Sequence, residues 1–180
     1  KLHPGLTRAE FDSIAATAHQ LGIPFVGHVS FDVGVWHAIE SEYSSIDHLD
    51  GFVEGLVPGI EKMTPEEAGL FGIFVINKVD TTRLQELMNG LREYTVWVVP
   101  TQALAERWMS PADTLVFASA PEMKYMTPEQ VRSWNNAKKS LQADSRYKAE
   151  DVNRYIAFRR HLIKQSQANG VGLLLGSDAP

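Results

Sequence analysis

Short apolar runs alternate with longer amphipathic segments along this chain, and that alternation limits the folds open to it. Four runs, residues 23–28, 45–48, 95–100 and 171–177, have the length and flanking punctuation of strands. Tyr94-Thr95-Val96-Trp97-Val98-Val99-Pro100-Thr101 is the clearest, being dense in β-branched and aromatic residues. Strands that alternate with helices imply a parallel sheet joined by helical crossovers. Near-continuous apolar strands such as Val171-Gly172-Leu173-Leu174-Leu175 belong to a sheet packed on both faces. The pattern therefore predicts an α/β fold. A doubly wound sheet and part of a (β/α)8 barrel both satisfy it. With 180 residues and no repeat or low-complexity linker, the chain reads as a single domain over 1–180.

The intervening segments carry helix signals. Thr7 and Glu10 form a capping box, Phe11, Ile14, Ala15, Ala18 and Leu21 recur at helical spacing, and Gly22 is a stop. A second helix is expected over 33–43, with Val35, Ala38, Ile39 and Tyr43 inward. Thr64-Pro65-Glu66-Glu67 is a further start, whereas Phe71–Ile76 fits helix and strand equally. Asp80 or Thr81 caps a helix with Leu84, Leu87, Met88 and Leu91 as its stripe. Thr127-Pro128-Glu129-Gln130 opens another helix. The longest spans about 148–168, with Val152, Tyr155, Ile156, Leu162, Ile163 and either Phe158 or Arg159 inward, and ends at Asn169-Gly170.

In α/β architectures ligands bind at the carboxyl ends of the strands. Three of the four strands end there in a side chain that can ligate a metal: His28, His48 and Asp178. Two imidazoles and a carboxylate converging from separate strands are how a catalytic metal is held with positions left for water. The histidines lie one strand–helix unit apart, so their rings are expected on the same end of adjacent parallel strands, within about 8 Å given Zn–N bonds of about 2.0–2.1 Å. The other histidines, His3, His19, His37 and His161, read as loop, helix-end or surface residues, and the four tryptophans as packing residues.

Composition narrows the chemistry. There is no cysteine, so a metal must use His, Asp, Glu or a modified Lys. A net charge of -5, with Lys and Arg scattered apart from Arg159-Arg160, argues against a phosphate backbone as partner. No stretch reaches the roughly 18 apolar residues of a membrane span. No Ser-His-Asp order, P-loop or Gly-x-Gly-x-x-Gly is present. A small-molecule substrate is the expected partner.

At these residues the chain resembles a known family. Lys1 before Pro-Gly-Leu-Thr, Ala-x-x-Leu-Gly-Ile-Pro-Phe-Val-Gly-His28-Val, Ser-Ile-Asp-His48-Leu-Asp-Gly, Val-Val-Pro-Thr101 and Leu-Leu-Leu-Gly-Ser-Asp178-Ala-Pro look, in this order, like the amidohydrolase superfamily, in its imidazolonepropionase-like and prolidase-like branch. The resemblance implies a TIM-type (β/α)8 barrel. It places His28 on strand 5, His48 on strand 6, Asp178 on strand 8, and Lys1 where the family has a carboxylated lysine on strand 4. The family's His-x-His of strand 1 is missing, as are the strands around it and the flanking β-sandwich. The chain therefore reads as an excerpt, strands 4 to 8 of a partial barrel.

On that resemblance the activity is metal-dependent hydrolysis of a C–N bond in an amide, dipeptide or cyclic amide. Asp178 would be ligand and general base, His28 and His48 metal ligands, and Lys1 a bridging carbamate. The ligand types favour one or two zinc ions. Two other expectations differ in class: a non-catalytic scaffold or binding module derived from such a barrel, and a mononuclear deaminase-like hydrolase.

Overall fold

A computed structural model describes residues 1–176. Helix α1, Arg8–Leu21, starts as its sequence dictates: the Thr7 side chain accepts from Glu10 N, and Glu10 Oε2 accepts from Thr7 N at 2.8 Å. Gly22, at φ +64°, ends it. Phe11, Ala15 and Ala18 are buried as expected, but Leu21 is 63% exposed, because the chain turns away one residue later.

Strand β1, Val26–Gly27, leads through α2, Val35–Glu40, to β2, Ser45–Asp47. Helix α2 is shorter than its apolar pattern; Tyr43 is fully buried from the loop after it. From residue 48 to 83 the chain runs through successive 3-10 turns and one short capped helix, α3, Pro65–Ala68. The ambiguous run at Phe71–Ile76 is resolved as turns. Ile73, Val75 and Ile76 are nonetheless buried, so apolarity there marks burial and carries no period.

Helix α4, Leu84–Glu93, buries Leu84, Leu87, Met88 and Leu91 and leads to β3, Trp97–Val99. Beyond β3, α5, Gln102–Leu104, winds into a π turn, Ala105–Met109, followed by α6, Thr114–Ala118. The two long helices are α7, Pro128–Ala143, and α8, Ala149–Ala168. On α7 the one buried residue is Lys138, whose ammonium donates to the carbonyls of Arg107, Trp108 and Ser110 at 3.0, 3.0 and 2.6 Å, satisfying the end of the π turn.

The three strands are parallel in the order β1-β2-β3. Single parallel bridges extend the order on both sides, Leu2 against Gly27 and Leu173 against Val98. The expected strand at 171–177 is thus one bridge within the described residues, and its end, with Asp178, lies outside them. Neighbours in sequence are neighbours in space throughout, and among the described residues the sheet does not close on itself. Among them, too, no helix is long and apolar enough to cross a membrane.

Gly27 sits at φ +127°, where a Cβ would stand 2.4 Å from the carbonyl oxygen of Leu2. That close approach lets Leu2 pair with β1: its N–H donates to Val26 O at 2.7 Å, and His28 N donates back to Leu2 O at 3.2 Å. Gly22 has open space around it. Gly27→Ala is expected to destabilise the protein by about 2–4 kcal/mol, from a backbone region nearly closed to other residues plus the backbone clash. Gly22→Ala should cost only about 1 kcal/mol. Urea denaturation of both variants checks the difference, and equal losses would mean that the Leu2 contact does not constrain β1.

Candidate functional site

His28 and His48 directly follow β1 and β2, and their backbone amides continue the ladder, His28 N to Leu2 O and His48 N to Val99 O. Their rings stack with centroids 4.6 Å apart, inclined by 27°. The expected juxtaposition at one end of adjacent parallel strands is therefore present. The register pairs Gly27 with Ile46, so a regular continuation would set His28 beside Asp47 and turn His48 to the other face. His48 escapes that alternation through a left-handed backbone, φ +58°, followed by Leu49 at +60°.

Each ring is held at Nδ1. Asp50 Oδ2 lies 2.8 Å from Nδ1 of His28 and also accepts the Val29 N–H at 3.2 Å. Thr101 Oγ1 lies 2.8 Å from Nδ1 of His48. His3 and Phe71 flank the pair, their rings 6.0 Å from His28 and 5.5 Å from His48. Phe71 and Thr101 also have positive φ, +55° and +44°. Four non-glycine residues in strained backbone thus gather around one imidazole, at a cost of about 1–3 kcal/mol each, sustained by the packing around them.

Lys1 reaches the same end of the sheet, with Nζ 2.8 Å from Asp47 Oδ2. Asp178 lies outside the described residues. Among the described residues no group of three or more His, Cys, Asp or Glu is arranged to hold a metal ion. His19, His37 and His161 lie elsewhere: His19 meets Ser41 O, His37 pairs with Asp12, and His161 stacks on Phe158.

A buried polar layer adjoins the rings, of which the residue pattern names only Tyr155 and, as an alternative to Phe158, Arg159. Arg159 of α8 is 1% exposed and donates to His48 O at 2.8 Å, Pro100 O at 2.7 Å, Gln102 Oε1 at 3.1 Å and Tyr155 Oη at 3.2 Å. Asp50 Oδ1 and Glu54 Oε2 are buried with no hydrogen-bond partner among the described residues. The one signal in the sequence was the density of acids around His48, in Asp47-His48-Leu49-Asp50 and Glu54.

The electrostatics follow from these contacts. The hydrogen bond to Asp50 raises the pKa of His28, opposed by partial burial. Burial raises that of Asp50, opposed by the hydrogen bond from His28. Glu54 is pushed up to about 7, by burial first and by the Asp50 charge, against its own backbone amide and Arg159. Two imidazoles fixed at Nδ1 and two buried carboxyls thus lie together, with the Lys1 amine paired to Asp47 at the same end of the sheet.

No family model matches the chain, and no curated protein matches it. Among solved structures the chain is similar to bottromycin amidohydrolase, with 23% identity and a TM-score of 0.52, over 96% of this chain and 35% of that one. The chain thus spans about a third of that protein's length, and at this identity the likeness concerns the fold alone.

Glu54 yields a prediction with a definite sign. Between its ordinary pKa of 4.5 and its raised value of about 7, the unfolded chain releases a proton that the folded chain keeps. Stability therefore falls as pH rises through that window and levels off above it. Glu54→Gln, which stays neutral, should be more stable than wild type at pH 8 by about 1–3 kcal/mol, since each pKa unit is worth about 1.4 kcal/mol. At pH 4 that advantage should vanish. Denaturant melts at the two pH values measure it; an unchanging difference would place the Glu54 carboxyl in water.

Proposed function

We propose that this chain is the strand 4 to strand 8 portion of a (β/α)8 barrel of the amidohydrolase type, and that the whole protein hydrolyses C–N bonds with a divalent metal. The sequential order of parallel segments supports the barrel, as does the likeness in fold to an amidohydrolase. The observation that carries the functional reading is the stacking of His28 on His48 at the strand ends, with both Nδ1 atoms committed to protein oxygens. An imidazole anchored at Nδ1 ligates a metal through Nε2, and ligating histidines are characteristically held this way.

The residues that would hold the metal are His28 and His48, joined on the family resemblance by Asp178 and by Lys1 as a carbamate, a set of ligand types that would suit zinc. When bound, such a cation polarises a carbonyl and brings the pKa of a water toward 7. The chain's own residues supply the setting. Asp50 and Thr101 orient the rings, and Arg159 holds the backbone from which His48 projects. On the family resemblance Asp178 would be the carboxylate that takes the proton from water. Amides, dipeptides and cyclic amides are the substrate class.

In the full-length protein, His28→Ala should weaken zinc binding and be partly rescued by excess zinc. Asp178→Asn should lower kcat at saturating zinc by at least 10²-fold, the low end of general acid–base contributions, with an unchanged circular dichroism spectrum. An Asp178→Asn variant that keeps more than about a tenth of the activity removes Asp178 as the base. A wild type that binds no zinc, by calorimetry and metal analysis, would leave a scaffold or binding module as the function.

A further inference from the structure

We infer that Asp50 is a positioning residue that fixes His28 as its Nδ1–H tautomer and so turns the Nε2 lone pair toward the site; its link to metal binding rests on the function proposed above. The backbone places it there. His48 and Leu49, at φ +58° and +60°, reverse the chain immediately after β2, and Asp50 N closes the turn on Asp47 O at 3.0 Å. The Asp50 side chain, 5% exposed, then lies over the end of β1. There one oxygen, Oδ2, receives both the His28 Nδ1–H and the Val29 N–H.

Two donors from consecutive residues on one carboxylate oxygen define the ring's orientation as well as its tautomer. A carboxylate only accepts, so the shared proton resides on Nδ1, and Nε2 keeps its lone pair while the ring is neutral. A free imidazole has no such preference imposed on it. The second oxygen of Asp50 is buried without a partner among the described residues, so the carboxylate's stake in this arrangement is concentrated on Oδ2. An aspartate kept only to close the turn would need neither contact, since its backbone N–H closes the turn on Asp47 O.

Asp50→Ala removes the acceptor and releases the tautomer, whereas Asp50→Asn, with its amide oxygen in the place of Oδ2, can still accept from both donors. Nitrogen-15 NMR of the His28 ring in the metal-free, full-length protein should show Nδ1–H in wild type and in Asp50→Asn, and a shift toward Nε2–H in Asp50→Ala. Zinc affinity, read by chelator competition, should fall by about 10–100-fold in Asp50→Ala, the usual effect of losing such a partner. In a His28→Ala background, Asp50→Ala should change zinc affinity less than about twofold, because Asp50 acts through that ring.

A His28 ring whose tautomer is the same in wild type and Asp50→Ala overturns the proposal, as does an equal loss of zinc affinity with His28 absent. A wild type that binds no zinc, yet whose His28 tautomer follows Asp50, sustains the positioning role and sinks the metal-dependent function instead.

Discussion

The guanidinium of Arg159 connects the parts of this site. It is buried on α8 and donates to the carbonyls of His48 and Pro100, the residues at which β2 and β3 leave the sheet. Strand-end carbonyls that turn out of a ladder are orphaned, and leaving them buried and unpaired costs about 1–3 kcal/mol each. A planar cation with five donors can meet several of them at once. Arg159 thereby ties the longest helix to two strand ends and holds the backbone of His48. Its charge is met by those carbonyl dipoles together with Gln102 Oε1 and the Tyr155 hydroxyl. Without those neighbours a buried cation would be strongly unfavourable.

Around that clamp the molecule concentrates strain. His48, Leu49, Phe71 and Thr101 all occupy left-handed backbone, and Gly27 takes a conformation that other residues rarely adopt. These departures are what bring two imidazoles onto one another where the regular alternation of the pleat would separate them. The reversal at His48 and Leu49 also delivers Asp50 to His28, so one distortion positions both a ring and the group that orients its neighbour. Strained residues persist where the surroundings over-determine them, and here the surroundings are Val99, Thr101 and Arg159.

The same economy of buried charge recurs away from the site. Lys138 is the one fully buried residue of α7 and directs its three donors to carbonyls at the end of the π turn. Burial pulls its pKa down to about 8, the price of tying α7 to the segment that follows β3. As with Arg159, a single cation gathers carbonyls that no regular element satisfies.

Local information determined much of this protein. The capping box of Thr7 and Glu10, the stripe of α4, the limits of α8 and the parallel order of the strands all follow from nearest-neighbour chemistry and periodicity. So does the placement of His28 and His48 at the strand ends, because each ends an apolar run one crossover from the other. Residues 71–76 were illegible, since burial by turns has no period, and the end of the last strand, with Asp178, falls beyond the described residues. Tertiary structure alone chose Arg159 over Phe158 for the interior, because its worth depends on carbonyls 59 and 111 residues away in sequence. It likewise gave Asp50 its partner, 22 residues back, since no pattern in Asp-His-Leu-Asp encodes a chain reversal that only the packed strand ends stabilise.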